Sequence, residues 1–149
     1  MTRQGMISAT ILLITAAVYC GAQNPAQKSD LEGTWNLTGF TLGGKEFPAD
    51  KIKGTKMVVK GNKMTLFNAE GKAFRNFTFK IDASTAPKHI DVTALDGKFK
   101  GKMNPGIYRI KKGTLTICLP NITASKRPEK FESPEGEKIA LMVLKKSAK

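Results

Sequence analysis

From Leu31 onward, apolar and polar residues alternate along most of the chain, and glycine, proline and asparagine interrupt the alternation at short intervals. Arg75–Asp82 shows the pattern most cleanly. Phe77, Phe79 and Ile81 fall on one side of an extended chain, and Asn76, Thr78 and Lys80 on the other. Thr34–Leu42 sets Trp35, Leu37 and Gly39 on one face, and His89–Thr93 sets Ile90 and Val92 opposite His89, Asp91 and Thr93. Lys56–Lys60 and Lys63–Asn68 flank Gly61-Asn62, while Ile107–Lys111 and Thr114–Leu119 flank Lys112-Gly113. Such short connections between alternating runs predict hairpins. Ile139–Lys145 is apolar on both faces, which predicts a strand covered on both sides. Between the breakers only Pro48–Lys53 can wind into a helical turn, with Pro at its start and Gly54 past its end. These elements predict an all-β fold, an antiparallel barrel of about eight to ten strands with one short helical turn.

The first residues depart from that pattern. Arg3 precedes an uncharged stretch, Met6–Ala22, that ends in small residues, and this arrangement predicts a cleaved export signal over residues 1–22. The expected location is therefore periplasmic or extracellular. An uncleaved membrane anchor fits less well, because Ser8, Thr10 and Thr15 interrupt the run, and Tyr19 is a bulky neighbour for a lipid-modified Cys20. Residues 23–30 read as a short tether and residues 31–149 as the barrel domain. Loss of the signal leaves Cys118 as the only thiol, so no internal disulfide is expected. Its alternation with Thr114 and Thr116, opposite Leu115, Ile117 and Leu119, lets it face either way.

Composition narrows the chemistry. The chain has 149 residues, 25 Lys+Arg, 12 Asp+Glu and one histidine, for a net charge of +13. One domain fits that length, and two cysteines with one histidine do not make a disulfide scaffold or a His-based metal site. His89, Asp91 and Thr93 share a face, the residue types that acyl transfer uses, but Ile90 and Val92 take the inward side and turn the trio to solvent. Gly97, Gly101 and Gly106 lie among lysines with no helix following, so they do not form a phosphate-binding loop. A protein without catalytic activity, cofactor or metal is the expectation. Lys51, Lys53 and Lys56, and again Lys98, Lys100 and Lys102, offer charge to an anionic surface or protein partner. The same lysines also serve simply to keep strand edges apart in solution. Nucleic acid is disfavoured because no series of exposed aromatic residues accompanies them.

The strands also carry a resemblance. Asp30–Trp35 (DLEGTW), followed by Gly44-Lys45 and Pro48-Ala49, opens the series; Pro87–Thr93 (PKHIDVT) and Gly106-Ile107-Tyr108 continue it. Leu115–Cys118 (LTIC), Arg127-Pro128 and Phe131–Ser133 complete it. In order and spacing these resemble a family of exported planctomycete lipocalin-like proteins, from Asp30 to about Lys146. The resemblance implies an exported lipocalin-type barrel and carries over no catalytic residue. Lys111-Lys112-Gly113 and the basic stretch Phe99–Asn104 depart from the family pattern. Gly33 and Trp35 are also similar to the first-strand lipocalin signature, which implies that Trp35 closes the barrel floor with Arg127 stacked on its indole.

The function expected from these readings is binding of a small apolar or amphipathic ligand inside the barrel. Leu37, Met64, Leu66, Phe77, Phe79, Ile90, Val92, Tyr108 and Ile117 are its candidate walls. The alternative is a solid barrel that engages a partner through the loops Leu95–Pro105 and Pro120–Lys130.

Overall fold

The structure is a computed structural model that describes residues 29–121 and 126–148. The expected export signal, residues 1–22, and most of the tether lie outside the described residues.

The described chain forms β1 (Gly33–Leu42), β2 (Lys45–Glu46), α1 (Ala49–Ile52), β3 (Lys56–Lys60) and β4 (Lys63–Phe67). There follow β5 (Ala73–Asp82), β6 (Lys88–Ala94), a single 3-10 turn (Gly97–Phe99), β7 (Met103–Lys111), β8 (Thr114–Pro120) and β9 (Ile139–Lys146). Every pairing is antiparallel, each strand from β3 to β9 lies beside the next, and β1 pairs with both β3 and β9. The sheet therefore closes into an eight-stranded barrel, with β2 as a short extra ribbon on β1. Closure pairs both edges of each of the eight barrel strands and leaves no long unpaired edge.

Directly paired residues share a face, so the register assigns every side chain to the inside or the outside. Around the barrel, Trp35 pairs with Met57, Met57 with Leu66, Met64 with Phe77, Phe79 with Val92, Tyr108 with Ile117, and Leu115 with Leu144. These residues form one continuous apolar cluster. The alternation misplaces the second half of β1. A bulge at Thr38 leaves that residue without a partner in β9, so Gly39 pairs with outward Val143 while Phe40 and Leu42 turn inward opposite Met142 and Ala140. Beyond Asn36, β1 and β3 are no longer paired. Here α1 follows Pro48, and its Ile52 is buried.

After β8 the chain does not turn directly into β9. Residues 126–137 run back over the outer face of β6, β7 and β8 as a strap. Arg127 donates to the Gly106 carbonyl at 2.6 Å and to Asp91 at 2.7 Å, and Arg109 stacks on the Phe131 ring at 4.5 Å. Ser133 donates to the Ile139 carbonyl at 2.6 Å. The strap explains why Ile107 and Cys118, on the outer face of the barrel, are fully buried. The outer face of β9 has less cover than its sequence predicts, since Ile139, Leu141 and Val143 are only half-buried.

Candidate functional site

The two ends of the barrel are built differently, and the difference locates the site. At one end the segment Ser29–Glu32 crosses beneath the barrel and turns into β1 at Gly33, whose φ of +128° is a conformation side chains rarely adopt. Leu31 is completely buried there, and Trp35 donates its indole N–H to the Leu31 carbonyl at 2.7 Å. The Lys146 ammonium lies 5.2 Å from the Trp35 ring, and that of Lys88 lies 5.9 Å from the Tyr108 ring. Burial, reinforced by the charges of Asp30 and Asp82, raises the Tyr108 phenol above its ordinary range. This end is a closed floor.

The opposite end holds a cavity of about 430 Å³, within the ordinary range of roughly 300–1,000 Å³ for small-molecule sites. Its apolar wall comes from Leu42, Phe77, Val92, Ala94, Leu119 and Ala140, all inward-facing residues at the strand ends. Lys102, Asn104, Asn121 and Lys138 supply its polar groups, and no acidic residue is among the described lining residues. Gly106 shapes its lower edge. A Cβ there would strike Leu119 and approach the Cys118 carbonyl to 2.7 Å, so only glycine lets Leu119 lie across β7.

Asn104 is the unusual member. It faces inward opposite Val92, is 8% exposed, and its Oδ1 is buried without a hydrogen-bond partner. An unpaired buried amide oxygen costs about 1–3 kcal/mol, a condition that Asn104 shares with Ser29 Oγ and Asp96 Oδ1. Its surroundings are fixed. The Leu95–Lys102 connection is held by Ala94 N–H on the Lys102 carbonyl (3.1 Å) and Gly101 N–H on the Ala94 carbonyl (2.8 Å). Asp96 accepts from the Asn76 backbone and side chain at 2.9 and 2.8 Å, and Thr65 donates to Asn76 at 3.0 Å. Across the mouth, Asn121 N–H donates to the Lys138 carbonyl and closes the neck of the strap.

All nine sequence-predicted wall residues face inward, but the structure divides them. Phe77 and Val92 line the cavity; Leu37, Met64, Leu66, Phe79, Ile90, Tyr108 and Ile117 pack in the cluster below it. Trp35 lies in the floor as expected, whereas Arg127 does not join it. Arg127 is bound on the outer wall to Gly106 and Asp91, because the strap leaves the barrel at the mouth end, and Lys146 takes the place over the indole. Asp91 is thus engaged by Arg127 on the outer face it shares with His89 and Thr93. Four lining residues escaped the alternation for identifiable reasons. The Thr38 bulge hid Leu42, and Lys102 and Asn104 fell in a stretch that reads as a basic linker. Lys138 stands outside any strand.

Cys118 faces outward beneath the strap, its thiol 3.4 Å from the Glu132 carbonyl. Burial pushes the thiol pKa up, more than the hydrogen bond to Glu132 lowers it, and the Glu132 charge adds to the rise. That is the environment of a packed thiol and the reverse of what a nucleophile needs. A second, more open groove of about 460 Å³ lies between the strap and the ends of β8 and β9. Its lining mixes Lys126, Arg127, Lys130 and Lys138 with Glu129, Glu132 and Glu137. Among the described residues, no group of three or more His, Cys, Asp or Glu is placed to hold a metal, and no helix is long and apolar enough to cross a membrane. Comparison with protein-family models, curated proteins and solved structures finds no match to this chain.

Proposed function

We propose that this chain is an exported, non-catalytic lipocalin-like binding protein that holds a small apolar or amphipathic molecule in the mouth of its barrel. The observation that carries the reading is the cavity of about 430 Å³ with apolar walls and a few converging polar groups, set above a packed core and closed floor. A ligand gains by burying its apolar part against Phe77, Val92 and Leu119, at roughly 25 cal/mol per Å² of apolar surface removed from water. The mouth is pre-formed by the hydrogen bonds that fix the Leu95–Lys102 connection, so little ordering cost is left for binding.

Native mass spectrometry and solvent extraction of the purified protein test this reading. A bound small molecule in stoichiometric amount is the expected result, and Ala140→Phe, which fills the mouth, should abolish it while the fold persists. Repeated recovery of ligand-free protein that also binds no apolar probe would refute it. A second reading has its own support. Leu95 and Met103, 39% and 52% exposed, flank Lys98, Lys100 and Lys102 in the chain, a surface suited to an anionic partner. Pull-down at low and high salt with this loop intact or neutralised distinguishes it from small-molecule binding.

A further inference from the structure

The exposed apolar side chains are unevenly distributed. Leu42, Phe47, Phe74, Leu95 and Met103 stand at the mouth end of the barrel, and among the described residues only Ile81 is a large exposed apolar side chain near the floor. Three of them meet at one corner. Phe74 lies at the start of β5, and Leu95 and Met103 bracket the connection from β6 to β7. The Leu95 N–H donates to the Asn76 carbonyl at 2.9 Å and lays that connection against β5. Lys72, Arg75, Lys98, Lys100 and Lys102 occupy the same two segments, residues 70–76 and 95–103, and all are exposed. Two carboxylates belong to these segments: Asp96, which Asn76 engages at 2.9 and 2.8 Å, and Glu70 at the turn into β5. The corner projects into solvent. A Cβ at Gly71 or Gly101 would meet nothing within 4 Å, and none of the three apolar side chains lines the mouth cavity or the groove beside the strap.

We propose that this corner docks the protein on an anionic lipid bilayer, with Phe74, Leu95 and Met103 set into the headgroup layer and the five cations on lipid phosphates. A protein partner gains most from anchors that fill a pocket, and this corner offers projecting tips. A bilayer yields around such tips, and lysine stems lie along its apolar surface while their ammonium groups reach phosphate. A second copy of this chain is the wrong partner, because it would bring like charges together from a chain of net charge +13. The hydrogen bonds that hold the connection on β5 fix the corner before docking, so little ordering cost remains. Docking needs nothing from the cavity. The proposal rests on the reading of the Leu95–Met103 surface as one for an anionic partner, and it names that partner as lipid.

Co-sedimentation of the full mature protein tests it, with vesicles of phosphatidylcholine alone and of phosphatidylcholine with about 30% phosphatidylglycerol. Binding to the anionic vesicles should be at least about tenfold tighter, and Lys98→Gln with Lys100→Gln should weaken it about tenfold. Lys60→Gln with Lys63→Gln, at the floor end, removes the same charge and should change binding by less than about threefold. Phe74→Ser with Leu95→Ser should cost about tenfold at unchanged charge. In Phe74→Trp the emission should shift to the blue on anionic vesicles, against a constant background from buried Trp35. Equal binding to neutral vesicles, equal losses from the two lysine pairs, or no loss from the serine variant overturns the proposal. Poly-glutamate bound in place of the vesicles, or as tightly and without need of Phe74 and Leu95, also overturns it and leaves the anionic-partner reading standing. Failure to bind vesicles and poly-glutamate alike overturns both.

Discussion

The floor and the mouth of the barrel are made by the same strands, yet one end is sealed and the other accommodating. At the floor, a large rigid indole spans the interior, a crossing segment covers it, and its one polar atom is hydrogen-bonded to Leu31. At the mouth small residues, Ala94 and Ala140, stand among the larger Leu42, Phe77 and Leu119 and leave a cavity, and one polar group, Asn104, has an unpaired oxygen. Each end has one buried oxygen without a partner, Ser29 Oγ at the floor and Asn104 Oδ1 at the mouth, so the difference between them lies in filling: the floor is packed and the mouth is partly open. The contrast assigns opposite signs to Trp35→Ala at the floor and Asn104→Leu at the mouth, and measurements on these variants test it.

Trp35→Ala should have the largest effect. It leaves a cavity in the floor and removes the bond to Leu31, and the expected cost is about 3–5 kcal/mol by chemical denaturation. A smaller loss would show that the floor is not what holds the barrel closed. Gly106→Ala introduces a Cβ against Leu119 and the Cys118 carbonyl, and should cost about 1–3 kcal/mol. It should also distort the lower edge of the mouth, so its effect on ligand binding should exceed its effect on stability. Arg127→Ala frees the strap from Gly106 and Asp91. Since that ion pair is partly exposed, a loss of about 1 kcal/mol is expected.

The strap variant has a more specific readout than stability. Cys118 should resist thiol reagents in the native protein and react faster once Arg127 no longer pins the cover. The pH dependence follows from the same burial. Cys118 and Tyr108 have folded pKa values raised above their ordinary 9.0 and 10.0, so the unfolded chain loses these protons first. Stability is then fully present below pH 9 and falls as pH rises through the raised values, and Cys118→Ala should make the alkaline decline shallower. The smallest effect, with the opposite sign, belongs to the mouth. Asn104→Leu replaces a buried amide whose oxygen is unpaired by hydrocarbon and should raise stability by up to about 1 kcal/mol. A marked loss there would mean that Asn104 is structural.

Much of this architecture was legible along the chain because the alternation has a period of two and the turns carry their own chemistry. Gly61 with φ +59°, and Lys112 and Gly113 with φ +49° and +72°, fix hairpins at the predicted places. Phe77, Phe79, Ile90 and Val92 face inward as their spacing requires. The bulge at Thr38 was not legible, since an extra residue reverses the faces without any distinctive residue type, and with it went Leu42 as a lining residue. Arg127 departs from its expected place on the Trp35 indole for a different reason. Its partner depends on where a long connection returns, and alternation within strands carries no information about that.

The sequence by itself determined that the chain makes short antiparallel strands, that Trp35 belongs in the interior, and which residues of most strands share a face. These properties depend on neighbours two to four positions apart. Only the tertiary structure decided which inward residues fill a core and which border a cavity, that Asn104 is buried with an unpaired oxygen, and that a strap rather than the barrel interior buries Cys118. Those outcomes depend on which end of the closed sheet is covered, and closure brings together residues far apart in the chain, such as Leu42 and Ala140.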